Sequence, residues 1–225
     1  MDSPVTGFNG LLTATVFLPA LGALLILLLV RGDRNVRVVA ALVGLADLAL
    51  SILVFVLFDP AESSDRFQLV DRFAWITSDT FRASYLMAVD GLSAPLVLLT
   101  GLLGFCAILA SWNIGMRVRE YFAWLLLLQT AVMGVFVSLD LLLFFLFWEL
   151  ELVPMYMLIS VWGSGRKEYS AMKFLIFTIF GSASMLIALV AVFLSGDPGT
   201  LDLTQLSSPG TMLTAASVAL PLGAL

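Results

Sequence analysis

Long apolar runs separated by short polar connections dominate the chain. Six runs are each about as long as the roughly 20 residues that an α-helix needs to cross a bilayer core. These runs are Leu11–Val30, Val36–Leu57, Tyr85–Ala110, Tyr121–Ser138, Leu141–Trp162 and Tyr169–Leu194. A seventh run opens near Met212 and is still apolar at Leu225. The runs are continuous rather than alternating, which excludes a transmembrane β-barrel and predicts an all-α, polytopic transmembrane helix bundle.

Composition supports the same class. Hydrophobic residues make up 61% of the 225 residues and charged residues 12%, against about 45–50% and about 25% in ordinary globular chains. A water-soluble domain of this size could not bury so much apolar surface. Low charge also argues against a disordered chain, and a net charge of -5 argues against a nucleic-acid binder. The composition predicts an integral membrane protein whose direct environment is the lipid bilayer.

The sequence offers no redox framework of its own. Its one cysteine, Cys106, cannot form an intrachain disulfide, and a single thiolate cannot hold an iron–sulfur cluster. No histidine occurs, and no G-x-G-x-x-G nucleotide fingerprint is present. The N-terminal ten residues contain an acid and no Lys or Arg, which is atypical of a secretory signal peptide. We therefore expect no cofactor in this chain.

Basic residues are concentrated in alternate connections between the runs. The connections 30–37, 111–120 and 163–168 contain Arg31, Arg34, Arg37, Arg117, Arg119, Arg166 and Lys167. Because Lys and Arg accumulate in cytoplasmic loops, these connections are predicted to face the cytoplasm. The N-terminus and the 58–84 loop are then predicted to be extracytoplasmic. The loop itself has two interpretations: short strands or an interfacial lid, suggested by residues such as Phe73 and Trp75, or a solvated connector with aromatic anchors.

Four charged residues fall inside apolar runs: Asp47, Glu149, Glu151 and Lys173. Each costs roughly 2.5–3.5 kcal/mol on insertion scales when placed at mid-helix, so such residues are functional candidates. Glu149 comes nine residues after Asp140, or about 13 Å along its helix at 1.5 Å per residue. At this depth desolvation favours the protonated form and allows proton exchange near neutral pH. The alternative is a neutral Glu149 that donates a structural hydrogen bond between helices.

The other three positions leave more alternatives open. Glu151 lies about 200° around the helix from Glu149, so the two carboxylates cannot share one narrow face. Tyr156 is near the Glu149 face and is a possible donor to it. Lys173 either snorkels to the interface or forms a second proton station, separated from Glu149 by 10–15 Å on the basis of about 1.5 Å per residue. Asp47 has no evident partner in the sequence.

Three ordered motifs carry a family resemblance. The segment 141–173, with FWELELVPMYMLISVWG at its centre, resembles helices 5 and 6 of the antiporter-like membrane subunit M (chain 4) of proton-pumping NADH:quinone oxidoreductase, respiratory complex I. Its ELEL form is similar to cyanobacterial and chloroplast members. VDGLSAPLVLL at 89–99 resembles the segment that opens helix 3 of the family, and DRFAWI at 71–76 resembles its preceding loop.

The resemblance implies a proton-translocating subunit of the membrane arm. Glu149 then matches the key glutamate of helix 5, and Lys173 matches the lysine of helix 6. NADH, FMN, iron–sulfur clusters and quinone would be bound by partner subunits of the complex. Residues 1–225 would form a single membrane domain, the N-terminal part of a longer subunit, in a bacterial plasma membrane. Family members pair the helix-5 glutamate with a lysine on helix 7, which is expected beyond this sequence.

Three alternatives remain at the level of sequence. The first is a subunit of a multi-subunit sodium/proton antiporter, whose large chains have a similar fold. The second is the chain 4 homologue of a photosynthetic-type NAD(P)H or ferredoxin–quinone oxidoreductase. The third is a purely structural membrane subunit in which Glu149 serves packing.

Overall fold

The computed structural model describes residues 10–59, 67–77, 82–195 and 201–206. Its elements, in chain order, are α1 (Leu11–Leu28), α2 (Asp33–Leu57), β1 (Gln68–Thr77), β2 (Arg82–Val89), α3 (Ser93–Ala110), α4 (Val118–Val137), α5 (Leu141–Trp162), α6 (Lys167–Ser195) and the single turn α7 (Leu203–Leu206). Six of the helices in the described part of the chain are long and apolar enough to span a membrane. The chain is a polytopic helical membrane protein, as predicted. The seventh predicted run lies outside the described residues.

The predicted start of the third helix is wrong. Its apolar run begins at Tyr85, but the residues up to Val89 belong to strand β2 and the helix begins at Ser93. Asp90 separates the two elements, because its Oδ1 accepts hydrogen bonds from Leu92 N at 3.1 Å and from Ser93 N at 2.7 Å. A carboxylate that binds the first free N–H groups of a helix caps its N-terminus.

The 58–84 loop contains strands, so its interpretation as a mere solvated connector is wrong for the described residues. Strands β1 and β2 pair antiparallel, with Phe73 opposite Tyr85 and register shifts on both sides of this region. Leu139 N donates to Leu86 O at 2.9 Å and joins the hairpin to the α4–α5 turn. The hairpin therefore packs against one end of the helix bundle.

Two apolar clusters form the interior of the bundle. The cluster nearer the hairpin includes Leu12, Val54, Met87 and Met133. The cluster at the opposite end includes Ile26, Ile108, Phe122 and Leu126. In both clusters α1, α2, α3 and α4 supply most of the buried side chains, whereas α6 is largely exposed along its apolar length.

Small residues allow the helices to approach closely. The Phe147 ring of α5 lies against Gly134 of α4, where a Cβ would overlap it. Small residues at contacts between membrane helices permit this type of close packing. The contact fixes α5, the helix that carries the two candidate carboxylates, against α4.

Candidate functional site

Glu149 is a half-buried acid near the middle of α5. Its Oε1 atom is enclosed by protein and has no hydrogen-bond partner among the described residues. The ion pairs found in those residues are Arg72–Asp202 and Arg117–Glu120, so no Lys or Arg of the described part neutralises Glu149. An enclosed carboxylate oxygen without a donor is an unsatisfied buried acceptor, which is energetically costly.

The position of Glu149 is fixed by the ends and the packing of α5. Asp140 caps the helix, with Oδ1 accepting from Leu142 N at 2.9 Å and from Leu143 N at 3.3 Å. Phe147 is buried in the cluster nearer the hairpin, and Leu150 packs against that cluster. The helix continues through Pro154, whose ring nitrogen has no N–H to donate.

In the described part of the chain, no hydrogen bond or ion pair joins Glu149 to Glu151 or to Lys173. Glu151 is half-buried on α5, and Lys173 is exposed on α6. Lys173 Nζ lies 6.0 Å from the centroid of the Phe177 ring, at the outer range of a cation–π contact. This placement is compatible both with snorkelling and with a separate proton station. The Glu149–Lys173 relay stays a prediction.

Tyr156 does not supply a donor to Glu149. Its hydroxyl group points to Met172 Sδ at 3.9 Å, across the contact between α5 and α6. The expectation that this hydroxyl group bonds Glu149 is therefore wrong. The tyrosine instead joins the two helices that carry the candidate residues.

Asp47 has a partner that the sequence analysis missed. Gln129 Nε2 on α4 donates to Asp47 Oδ2 at 2.6 Å, and the carboxyl group is fully buried. The neutral amide of Gln129, which lies in the run LLLLQTAV, is a polar signal of the same kind as a charge inside an apolar run. A search for amides inside apolar runs would have found it.

A second polar cluster lies at the hairpin end, outside the spanning segments. Buried Asp71 accepts from Gly10 N, Thr13 N and Thr13 Oγ1 at 2.7, 3.0 and 2.9 Å. Tyr85 OH donates to Thr13 Oγ1 at 3.0 Å. Burial raises the pKa of the Tyr85 hydroxyl group; its bond to Thr13 opposes the rise, and the nearby Asp71 charge adds to it. These contacts secure the hairpin on α1.

Sequence comparisons identify similar proteins. A family model described as "NADH:quinone oxidoreductase/Mrp antiporter, TM" matches residues 138–225, which include α5 and α6. NAD(P)H-quinone oxidoreductase chain 4 1 of Synechococcus elongatus is 46% identical over 197 residues, covering 87% of this chain and 36% of that protein. Chain 4-2 of Synechocystis is 42% identical, covering 87% and 34%. The chain thus spans about a third of the length of these curated relatives.

Solved structures share the fold. A chain of respiratory complex I from Thermus thermophilus with bound NADH has a TM-score of 0.70 at 24% identity, covering 92% of this chain and 39% of that one. A chain of the membrane-bound sulfane sulfur reductase, an archaeal respiratory membrane complex, has a TM-score of 0.71 at 17% identity, covering 92% and 32%. At these identities the likeness concerns the helix bundle.

Proposed function

We propose that the chain is part of a proton-translocating subunit in the membrane arm of a quinone oxidoreductase. The NADH:quinone oxidoreductase/Mrp antiporter model that matches residues 138–225 and the 46% identity to a chain 4 protein support this proposal. The observation that carries the proposal is Glu149, a carboxyl group in mid-helix with an enclosed, unpartnered oxygen. Glu149 binds and releases the transported proton. Glu151 and Lys173 assist on the same pair of helices, with Glu151 the less important of the two acids.

The mechanism is electrostatic. Quinone reduction in another part of the complex sends a charge or conformational signal along the membrane arm. A cation that moves towards Glu149 favours its ionised form and releases the proton, and a cation that moves away favours proton uptake. The displacement of the cation then couples the quinone reaction to the proton affinity of Glu149.

The relatives favour a quinone oxidoreductase over an antiporter. Both cyanobacterial relatives named above are NAD(P)H-quinone oxidoreductase chain 4 proteins with more than 40% identity to this chain. On this basis the electron donor, flavin, iron–sulfur clusters and quinone are bound by partner subunits, and other membrane-arm subunits are the neighbours of this chain. The membrane is a bacterial plasma membrane with the N-terminus outside.

The central test is Glu149→Gln in the full-length protein within its native membranes. Glutamine keeps the size and polarity of the side chain and removes the exchangeable proton. We expect proton pumping in inverted vesicles, measured per electron transferred to quinone, to fall at least severalfold while the amount of assembled complex is unchanged. Glu120→Gln is the matched control, since Glu120 is a partly exposed acid in the first turn of α4 that pairs with Arg117.

Glu151→Gln separates the two carboxylates of α5. A milder loss is expected than for Glu149→Gln, because Glu151 has no enclosed oxygen without a partner among the described residues. An equal or larger loss would mean that Glu151 is the main proton site. Normal pumping in Glu149→Gln would leave the structural role of this acid as the better explanation.

Two substitutions test whether the positive charge of Lys173 is needed for pumping: Lys173→Met removes the charge and Lys173→Arg keeps it. Lys173→Met is expected to reduce pumping and Lys173→Arg to preserve most of it, since the proposed role needs a cation on α6. Arg166→Gln, an exposed change just before α6, controls for loss of basic charge. Equal pumping in both Lys173 variants would show that the lysine only snorkels.

If the protein is an antiporter subunit, proton movement should depend on sodium rather than on an electron donor. Proton movement would be driven by a sodium gradient without any electron donor. The vesicle assay distinguishes the two functions when the donor and sodium are supplied separately. A response to sodium alone would replace the proposed function with antiport.

A further inference from the structure

Asp47 and Gln129 form a buried polar contact between α2 and α4, apart from the carboxylates of α5. Asp47 is 0% exposed and Gln129 is 5% exposed. One hydrogen bond joins them, from Gln129 Nε2 to Asp47 Oδ2 at 2.6 Å. This contact uses one oxygen of the carboxyl group and one donor of the amide.

The remaining oxygen of each side chain is buried and unpartnered. Neither Asp47 Oδ1 nor Gln129 Oε1 has a hydrogen-bond partner among the described residues. If Asp47 is ionised, both atoms are acceptors only, and neither can satisfy the other. The pair would then enclose a charge and two unsatisfied acceptors in the bundle, which is an unfavourable arrangement.

A single proton resolves both deficits. On Oδ1 it converts that atom into a donor, and Gln129 Oε1 is an acceptor on the partner side chain. The acid and the amide then exchange two hydrogen bonds in a ring, Oδ1–H to Oε1 and Nε2–H to Oδ2. We propose that Asp47 is a proton-binding site, with its proton held between Asp47 and Gln129.

The helices that pack on α2 supply no counter-ion to Asp47. The segments of α1 and α3 contain no charged residue, and the titratable Cys106 of α3 is exposed. On α4, Arg119, Glu120 and Tyr121 lie in the first turn and thus about 12–15 Å along the helix from Gln129. On α2, Asp33, Arg34 and Arg37 lie at least ten residues before Asp47, and Arg37 donates to Ile114 O at 2.9 Å.

The surrounding helices make space for the amide. Gly104 of α3 faces Gln129, and a Cβ at this position would overlap the amide group. Gln129 also borders a groove of about 360 Å³ between α3 and α4, together with Thr100, Leu103 and Phe136. Apart from Gln129 and Thr100, its lining is apolar, so the groove offers few hydrogen-bond partners to water.

A proton fits this site better than a metal cation. Hard cations need several oxygen ligands around them. Here one carboxylate oxygen already accepts from an amide N–H, and Thr130 Oγ1 is the further buried oxygen on α4 without a partner in the described residues. The test below distinguishes a proton at this site from a bound sodium ion, which is the competing interpretation.

The test is infrared spectroscopy of the full-length protein in its native membranes, with aspartate labelled with heavy carbon at the carboxyl group. At neutral pH we expect an isotope-sensitive C=O band of a neutral acid that is absent from Asp47→Asn. In Gln129→Leu, which keeps Asp47, this band should shift to higher frequency because its hydrogen bond is lost. Gly104→Ala should produce the same shift by displacing the amide.

Asp33→Asn is the matched control, since it makes the same change at an exposed position of α2 and should leave the band intact. Loss of only an ionised carboxylate band in Asp47→Asn would overturn the proposal. So would a band that responds to the exchange of sodium for choline, which would indicate a metal cation. If Asp47→Asn fails to assemble, an unshifted spectrum in Gln129→Leu overturns it. None of these results depends on pumping by Glu149.

Discussion

At the scale of single residues, Asp140 illustrates how one carboxyl group joins several segments. It is buried and accepts from Ser84 N at 3.0 Å as well as from the first two free N–H groups of α5. Burial raises the pKa of Asp140, the three backbone hydrogen bonds oppose the rise, and the charge of Asp202 adds to it. The side chain therefore links the hairpin, the α4–α5 turn and the helix that carries Glu149.

Removing this carboxyl group should loosen the start of α5. We expect Asp140→Ala to lower the free energy of unfolding by about 1–3 kcal/mol, since it removes a helix cap and leaves buried N–H groups unpaired. Asp140→Asn keeps one acceptor oxygen and should lose less. Thermal unfolding followed by helical circular dichroism in detergent micelles measures both changes.

The pH dependence of the free energy of unfolding, compared between the wild-type chain and Asp140→Asn, tests the raised pKa of Asp140. A raised pKa means that the folded state binds the proton more tightly than the unfolded state. The contribution of Asp140 to stability is then fully present below its ordinary pKa of 3.8 and is lost as pH rises through the folded-state value. Asp140→Asn should lack this slope, and an unchanged slope in the variant would contradict the assignment.

The candidate residues show what sequence alone can and cannot locate. Glu149 and Asp47 are evident from sequence because a charge inside an apolar run is rare. The pairing of Gln129 with Asp47 and the Met172 contact of Tyr156 are not evident, because they depend on which helix faces are adjacent. Periodicity predicts the face of one helix but not the rotation of its neighbour.

At the scale of elements, the hairpin serves as an external cap for α1. This helix has no side-chain cap of its own at Gly10. Asp71 on β1 supplies the missing acceptor for Gly10 N and Thr13 N. The first turn of α1 and the hairpin should therefore become stable together.

Asp71→Ala tests this dependence. The change leaves two backbone N–H groups and one hydroxyl group without their acceptor, and we expect a loss of about 1–3 kcal/mol. Hydrogen exchange should increase in both Leu11–Leu28 and the hairpin. Trp75→Ala on the same strand is the control, since Trp75 is 50% exposed. Faster exchange confined to the hairpin would show that α1 does not need this cap.

The elements were predictable to different extents. Six spanning helices follow from continuous apolar runs. Apart from the start of α3, their ends shift by only a few residues, for example where Asp33 and Lys167 join a first turn. The hairpin was one of two alternatives because its apolar positions alternate irregularly. Strand β2 was assigned to α3 because Tyr85–Val89 is as apolar as the helix that follows.

At the scale of the whole molecule, the two ends of the bundle differ in chemistry. One end carries the hairpin. At the other, Arg37 donates to Ile114 O, Trp162 Nε1 donates to Met116 O at 2.8 Å and Lys167 Nζ donates to Val161 O at 2.6 Å. These bonds bring the basic connections of the sequence together at one end, as expected if a single face of the membrane selects for positive charge.

Cysteine labelling can determine which end faces the cytoplasm. With Cys106 replaced by serine, Phe73→Cys places a thiol at a 65% exposed position of the hairpin. Gly115→Cys places one in the α3–α4 connection, where a Cβ meets nothing within 4 Å. A membrane-impermeant maleimide added to intact cells should label Phe73→Cys and spare Gly115→Cys, and inverted vesicles should give the reverse pattern. The opposite result would put the arginine-rich end outside, and labelling of both thiols from one side would mean that the six helices do not separate the two ends by a bilayer.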